Sequence, residues 1–424
     1  MQVFMFTRVQ ALNYRSLRYV DCAVNGLNVL VGPNASGKST FIDVPGLLGD
    51  IVRDGLKAAV ETRSSNWQDL TWMRNGDDFQ LAVESGIPDK TALPNANVEY
   101  TRARYELGLG RLPDNSFGIL HEKFLLLNAD DSSQPPLPML FPETHTAPAS
   151  IWSTQRIGKR VIASKVLDGN DNYNSEVTEE GGRGWLPSFK FGPYKSALAN
   201  LPADESRFPV AVWFRELLGS GVQKLVLNSQ LIRQANPPGQ RAGFRPDGSN
   251  LAWVVEGLIR SSPERFADWL QHLQSALPDI NSIRTVERPE DKHRYVMVNY
   301  HSVGDMPAWM VSDGTLRLLA LTVLAYLPTF NGIFLIEEPE NGIHPRAIEA
   351  MFDSLRSVYG AQVLVATHSP VILSVVDPKS VLCFAKTAEG ATDIVRGDKH
   401  PRLRDWQCET DLGSLFAAGI LDHS

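Results

Sequence analysis

Three short stretches of this 424-residue chain combine residue types suited to phosphate chemistry. The first, "VLVGPNASGKST", spans residues 29–40. Gly32 to Ser39 fits the pattern G-x-x-x-x-G-K-[ST], between an apolar strand-like run and a helix-like run. Glycines let backbone N–H groups turn inward, and the start of a helix adds partial positive charge. Gly32, Asn34, Ala35, Ser36 and Gly37 would then form a phosphate cradle, with Lys38, Ser39 and Thr40 at the helix start. Lys38 would act as a point charge against the β- and γ-phosphates, and the Ser39 hydroxyl would face Mg²⁺. The competing reading is an ordinary strand–turn–helix that carries the pattern by chance.

The second stretch is "GIFLIEEPENGIHP". Four apolar residues, Ile333–Ile336, end abruptly in Glu337 and Glu338. A buried strand ending in paired carboxylates suits a metal and an attacking water. Adjacent strand residues point to opposite faces, so the two should differ in role. Glu337 is expected to support Mg²⁺ and Glu338 to polarise the water. The third stretch, "VATHSP", again closes an apolar run with polar groups, and places His368 to hydrogen-bond a γ-phosphate. Ahead of both, Ser312-Asp313-Gly314-Thr315 opens an apolar helix. A helix cap and an anion site use the same orphan N–H donors, so that turn can be either or both.

These pieces need a parallel sheet beneath them. Helices are expected at Ser39–Val52, where Pro45–Gly46 introduces strain, and at Val210–Leu218, Asn250–Arg260, Pro263–Leu277, Thr315–Tyr326 and Pro345–Val358. Strands are expected at "LNVLV", "GIFLIEE", "QVLVATHS" and "SVLCFAK", alternating with helices in the last third. "FQLAVE", "NVEYTRARYEL" and "SFGILHEKFLLL" suggest an antiparallel meander. The Pro, Ser and Thr-rich stretch Asn128–Ser150 reads as a loop or boundary. The expected division is 1–130 (phosphate loop and meander), 131–248 (an insertion or lobe with no readable pattern) and 249–424 (the remaining motifs and a short extension).

Composition narrows the class. A formal charge of −7 excludes a generally basic nucleic-acid binder, though not a local basic groove. Arg233, Arg241 and Arg245 cluster in a Pro/Gly-rich stretch that reads as a solvated loop. The longest apolar stretch, Leu318–Leu327, is too short to span a bilayer, and the first residues lack signal-peptide character, so no membrane role is expected. Three scattered cysteines, Cys22, Cys383 and Cys408, form no metal or disulfide pattern and fit the cytoplasm. Sustained heptads are absent, so no long coiled coil is expected.

The order of motifs, Gly32–Ser39, Ser312–Thr315, Ile333–Glu338 and His368, resembles the ABC-type ATPase heads of the SMC, RecF and OLD group. "NYRSLRYVDCAVNGLNVLVGPNASGKST" resembles their N-terminal half, "VSDGTLRLLAL" their signature, "LIEEPENGIHP" their Walker B and D-loop, and "THSP" their switch histidine. The wording is similar to compact ATPases of the AAA family, several of which serve bacterial anti-phage systems. The resemblance covers about Val3–Ile51 and Ser249–Val376. It implies an α/β head with a P-loop, a mostly parallel core sheet, an antiparallel β sub-domain and a helical lobe.

The resemblance also implies an ATP-sandwich homodimer or higher homo-oligomer. Ser312 and Gly314 of one copy would touch nucleotide bound by Lys38 of the other, with Asn341 near the subunit boundary and Arg15 near the nucleotide. Two positions depart from the common pattern: Ala35 stands for a glycine, and Glu337 for an aspartate. OLD-like enzymes often carry a TOPRIM nuclease domain. Only 56 residues follow His368, so none is expected and an effector, a nuclease or toxin, would be a separate chain. The expected function is a Mg²⁺-dependent ATPase switch controlling that effector in phage defence. The alternative is a RecF-like DNA repair or clamp ATPase. A transporter ATPase fits the signature and D-loop wording less well, and a scaffold that binds ATP without hydrolysing it would be separated by a turnover assay with Mg²⁺.

Overall fold

The computed structural model describes residues 6–88, 100–128, 139–154, 158–177, 187–240, 243–327, 330–358, 360–403 and 413–414. Arg241, Cys408, residues 129–138 of the Pro-rich stretch and most of the short C-terminal extension after residue 403 lie outside them. The chain forms two compact units, one built mainly from residues 1–222 and 378–407, the other from 223–377.

In the first unit β1 (Phe6–Tyr14), β2 (Leu17–Ala23), β3 (Leu27–Val31), α1 (Lys38–Asp54) and α2 (Leu56–Glu61) precede the meander. β4 (Asp78–Gly86), β5 (Arg102–Arg111), β6 (Phe117–Leu127), β7 (Lys159–Val166), β8 (Asp171–Tyr173) and β9 (Ser188–Phe189) follow, then α3 (Pro209–Glu216). The large sheet runs β2-β1-β4-β5-β6-β7-β8-β9, antiparallel throughout. The expected meander is therefore present, and strands from the unreadable middle extend it.

β4 and β5 are buried along almost their whole length. The end of the Pro-rich stretch and the residues just after it cover part of this face: Ile151 packs with Leu12 and Ala82, with Ala147 and Trp152 beside them. Burying that face requires its charges to be paired. Arg104 donates to Glu84 at 2.6 Å, to Glu106 at 2.6 Å and to the Ile151 carbonyl at 2.7 Å.

α1 runs through Pro45, which lacks an N–H for the i−4 carbonyl and would cost about 3 kcal/mol in an isolated helix. Burial of Phe41, Ile42, Val44, Leu47, Leu48 and Ile51 offsets that cost, at roughly 1.5–3 kcal/mol for each large side chain. The helix also carries a buried carboxylate. Asp43 accepts hydrogen bonds from Tyr14 Oη at 2.5 Å and Arg63 Nε at 2.8 Å. Burial alone would push its pKa up, but the Arg63 charge and these hydrogen bonds outweigh burial and hold it below the ordinary value. A carboxylate depressed in the fold stabilises it above the unfolded pKa, and loses that contribution as pH falls through the folded value. Asp43→Asn should lower stability at pH 7 by about 2 kcal/mol. In urea melts the gap to wild type should close below about pH 4.

The second unit opens with β10 (Val222–Leu225) and contains α4 (Ser229–Ile232), α5 (Leu251–Ser261), α6 (Pro263–Ala276), β11 (Ile280–Glu287), β12 (Arg294–Tyr300) and β13 (Gly304–Pro307). α7 (Asp313–Thr322), β14 (Gly332–Glu337), α8 (Pro345–Arg356), β15 (Ala361–Ala366) and α9 (Pro370–Val375) complete it. β14 and β15 pair in parallel, with Glu337 opposite Ala366. β11, β12 and β13 form a separate antiparallel sheet. Trp269 of α6 donates its indole N–H to Thr322 of α7 at 2.9 Å, which fixes the helical lobe.

The chain then re-enters the first unit through β16 (Val381–Lys386) and β17 (Thr392–Arg396). β16 lies parallel to β3 and forms an antiparallel hairpin with β17. Phe384 of β16 packs edge-on against Phe41 of α1.

Candidate nucleotide site

The first unit carries the phosphate loop. β3 stops at Val31 and α1 starts at Lys38, so residues 32–37 make the turn between them. Lys38 is 8% exposed, and its ammonium donates to the carbonyls of Gly32 at 2.7 Å and Pro33 at 2.9 Å. It is thus folded back over its own loop, satisfied by the same kind of acceptor that a phosphate offers. No side chain caps α1, which leaves the positive end of the helix dipole directed at the loop. Ser39 and Thr40 follow Lys38 in the first turn of α1.

The loop is braced from the far end of the sequence. Thr392 Oγ1 donates to the Ser36 carbonyl at 2.8 Å and lies 3.2 Å from Ser16 Oγ, which in turn is 3.4 Å from Thr40 Oγ1. Gly37 has φ 107°, and a Cβ there would come within 2.2 Å of Thr392 Oγ1. Only glycine therefore lets the loop close against this brace. Ala35, which stands for the usual glycine, has φ 62°, a left-handed conformation costing about 1 kcal/mol for a residue with a Cβ. Asn34 is exposed and Ser36 is buried. Arg15 sits at the β1–β2 turn with φ 48°, its guanidinium 3.4 Å from Asp43 of α1.

The second unit carries the carboxylates. Glu337, the last residue of β14, is partly buried and ion-paired to Lys224 of β10 at 2.8 Å. Glu338 is exposed, and its φ of 47° turns the chain away from the strand. Its N–H still bonds the Ala366 carbonyl at 2.8 Å, and its carboxylate accepts from the Asn341 side chain. The two acids thus occupy different environments, but Glu338 lies beyond β14 in a left-handed turn, so the turn and not strand alternation separates them.

Glu340 accepts from Thr367 Oγ1 at 2.6 Å and from the His368 N–H at 3.1 Å, so the Glu338 turn and the histidine segment are joined. Ser312 caps α7, its Oγ accepting from the Thr315 N–H at 3.3 Å. A Cβ on Gly314 would meet the Gly342 carbonyl at 2.3 Å, so the signature turn packs directly on the D-loop turn. Among the described residues no group of three or more His, Cys, Asp or Glu side chains is placed to hold a metal ion.

Several contributors were not legible in the sequence. Thr392 and Lys224 carry no motif of their own, Ser16 and Glu340 lie within motif stretches that assign them no role, and Thr392 meets the loop across 356 residues. Arg233 corrects an expectation. It is not merely part of a solvated loop: its guanidinium donates to the Val311 carbonyl at 3.0 Å and pairs with Asp313 at 2.5 Å, clamping the signature cap. Arg245 is exposed.

The family model described as "AAA domain, putative AbiEii toxin, Type IV TA system" matches residues 27–374, which include both sets of motifs. The chain belongs to this family. Protein ea59 of Escherichia phage lambda is 27% identical over 161 residues, which is 37% of this chain and 30% of that protein. The matching stretch thus spans less than a third of that relative's length.

Two solved structures share the fold. One is an Smc head bound to the C-terminal winged-helix domain of ScpA, with TM-score 0.53, 14% identity, and 92% and 96% of the two chains covered. The other is the Smc head domain from Pyrococcus furiosus with an extended coiled coil, bound to the C-terminal domain of ScpA, with TM-score 0.53, 13% identity, and 99% and 98% covered. As a member of the AAA family with an SMC-head-like fold, the chain is an ATPase-type domain. Among the described residues no helix is long and apolar enough to cross a membrane.

Proposed function

We propose that this AAA-family member hydrolyses ATP with Mg²⁺ and works as a switch: ATP closes a dimer of two copies, hydrolysis releases it, and the dimer's state controls a separate effector. The observation that best supports this is the packing of the signature turn (Ser312–Gly314) on the D-loop turn (Gly342), itself tied to Glu338 through Asn341 and to His368 through Glu340. Groups suited to sensing and cleaving a γ-phosphate thus form one connected assembly.

Each residue has a role in this reading. Lys38 exchanges its loop carbonyls for the β- and γ-phosphate oxygens, while the loop N–H groups cradle the rest. Ser39 and Glu337 offer the hard oxygen ligands that Mg²⁺ takes in nucleotide sites, where one or two protein ligands suffice. When bound, Mg²⁺ neutralises charge on the β- and γ-phosphate oxygens. Glu338 accepts a proton from the attacking water, and His368 donates a hydrogen bond to the γ-phosphate. Ser312 and Gly314 of one copy close over the triphosphate held by the other.

The energy logic is that ATP shifts the equilibrium only by its preference for the closed form, which contacts from both copies supply. The family's description as a putative AbiEii toxin of a type IV toxin–antitoxin system supports a toxin–antitoxin setting for this switch. Sedimentation velocity tests the switch. A non-hydrolysable ATP analogue with Mg²⁺ should convert monomer to dimer and ADP should not. A monomer under both conditions, at concentrations that saturate nucleotide binding, overturns it.

A further inference from the structure

The Walker B and switch-histidine segments each supply one proposed catalytic group, and rate depends on both being held in register. The Glu338 N–H already bonds the Ala366 carbonyl at 2.8 Å, and a side-chain link would couple the two segments further along. Glu340 makes that link. One of its oxygens, Oε1, accepts both the Thr367 hydroxyl at 2.6 Å and the His368 N–H at 3.1 Å. The other, Oε2, is buried without a hydrogen-bond partner among the described residues. The carboxylate is therefore committed to the 367–368 segment by a single oxygen.

Glu340 is equally fixed on its own side. The turn that carries it is closed by the Asn341 N–H donating to the Glu338 carbonyl at 3.1 Å, by the Asn341 side chain on the Glu338 carboxylate, and by the Ile343 N–H on the Glu340 carbonyl at 3.0 Å. Glu338 holds a left-handed backbone, φ 47°, that a residue with a side chain keeps only when its surroundings enforce it. Thr367 is fully buried, and its hydroxyl also receives the Ser369 N–H at 2.9 Å, so the donor side is rigid as well.

We propose that Glu340 is a positioning residue that locks the Glu338 turn to the His368 backbone, so that the base and the γ-phosphate donor move as one body. This inference deepens the ATPase reading above and depends on it. Misplacing a catalytic group by about 1 Å can cost on the order of 100-fold in rate without loss of binding. Glu340 touches neither substrate nor reacting atoms in this account, so its effect must show in turnover and not in affinity.

The test is steady-state ATP hydrolysis with nucleotide affinity measured in parallel, on wild type, Glu340→Ala, Glu340→Gln and Thr367→Val. Glu340→Ala should lower kcat roughly 30-fold with ATP affinity within about 3-fold of wild type. Glu340→Gln keeps an acceptor oxygen for both donors and should recover most of the rate, which a general packing defect would not. Thr367→Val removes one donor from the folded protein and should fall between them, so the lock can be tested even if the alanine variant does not fold. In a Glu338→Gln background, Glu340→Ala should add less than about 2-fold, because both act through one group. A wild type that binds ATP without hydrolysing it overturns the ATPase reading and this inference with it. An active wild type with equally active Glu340→Ala and Thr367→Val, or variants that change affinity alone, overturns only the lock.

Discussion

Lys38→Ala should abolish ATP binding at concentrations that saturate the wild-type chain. The ammonium is nearly buried and already spans two carbonyls of the loop, so it is positioned before any nucleotide arrives. A hydrogen bond to a charged group contributes about 1.5–3 kcal/mol, and this lysine would make such contacts to two phosphates. The expected loss is about 3 kcal/mol or more, which weakens affinity by roughly 100-fold or beyond.

The fold controls for a trivial explanation. Lys38 is buried at the loop end of α1, while the apolar packing of the helix comes from Phe41, Ile42, Val44 and the residues beyond. Removing the lysine leaves the Gly32 and Pro33 carbonyls without their donor, a local cost confined to the loop. Thermal melts without nucleotide should therefore stay close to wild type, while the upward shift that ATP gives the wild type disappears. Isothermal titration of both proteins with Mg–ATP checks it. Comparable heats and affinities would mean that residues 32–39 are a strand–turn–helix of ordinary purpose.

The motifs were legible because each is contiguous and each sits at the end of an apolar run. Ile333–Ile336 has the length and composition of a strand buried on both faces, so the polar residues following it emerge at the strand's end. The same reasoning placed His368 after β15 and the phosphate loop after β3. What sequence could not convey was partnership at long separation. Thr392 braces Ser36, and Lys224 neutralises Glu337, but no local pattern announces either.

The middle of the chain resisted reading for the same reason. Glu122 looks like an ordinary polar residue on an alternating strand. Yet it is fully buried, with its pKa raised by burial, and accepts from the Ala197 and Leu198 N–H groups, Ser196 and Tyr105. Glu176, pushed up to about 7 by burial, does the same for the Val210 and Ala211 N–H groups at the start of α3. The turn at 196–198 and the start of α3 are thus anchored by carboxylates that lie 34 to 76 residues away in the chain. Periodicity has no access to such bonds, and Arg233 shows the converse: a polar loop residue that reads as solvated can instead clamp a motif.

Glu338→Gln is the substitution that separates binding from turnover. The amide keeps the size of the side chain and can still meet Asn341, but it cannot take a proton from water at neutral pH. Removing a general base typically costs about 100- to 10,000-fold, so kcat should fall within that range while Mg–ATP affinity changes little. If ATP drives two copies together, a dimer that cannot hydrolyse its bridging nucleotide should persist. The variant should then sediment as a dimer with ordinary ATP, where wild type returns to monomer as ATP is consumed.

The two acids at the end of β14 make the comparison sharper. Glu337, partly buried and paired to Lys224, is the proposed metal ligand; Glu337→Gln should weaken Mg²⁺ dependence and nucleotide affinity along with rate. Glu338 is exposed on a strained turn, so its loss should spare both. Phosphate release measured over a Mg²⁺ titration for each variant distinguishes them. Equal turnover by Glu338→Gln and wild type would take the base away from this position. A rate loss in Glu338→Gln that excess Mg²⁺ restores would exchange the roles of the two carboxylates.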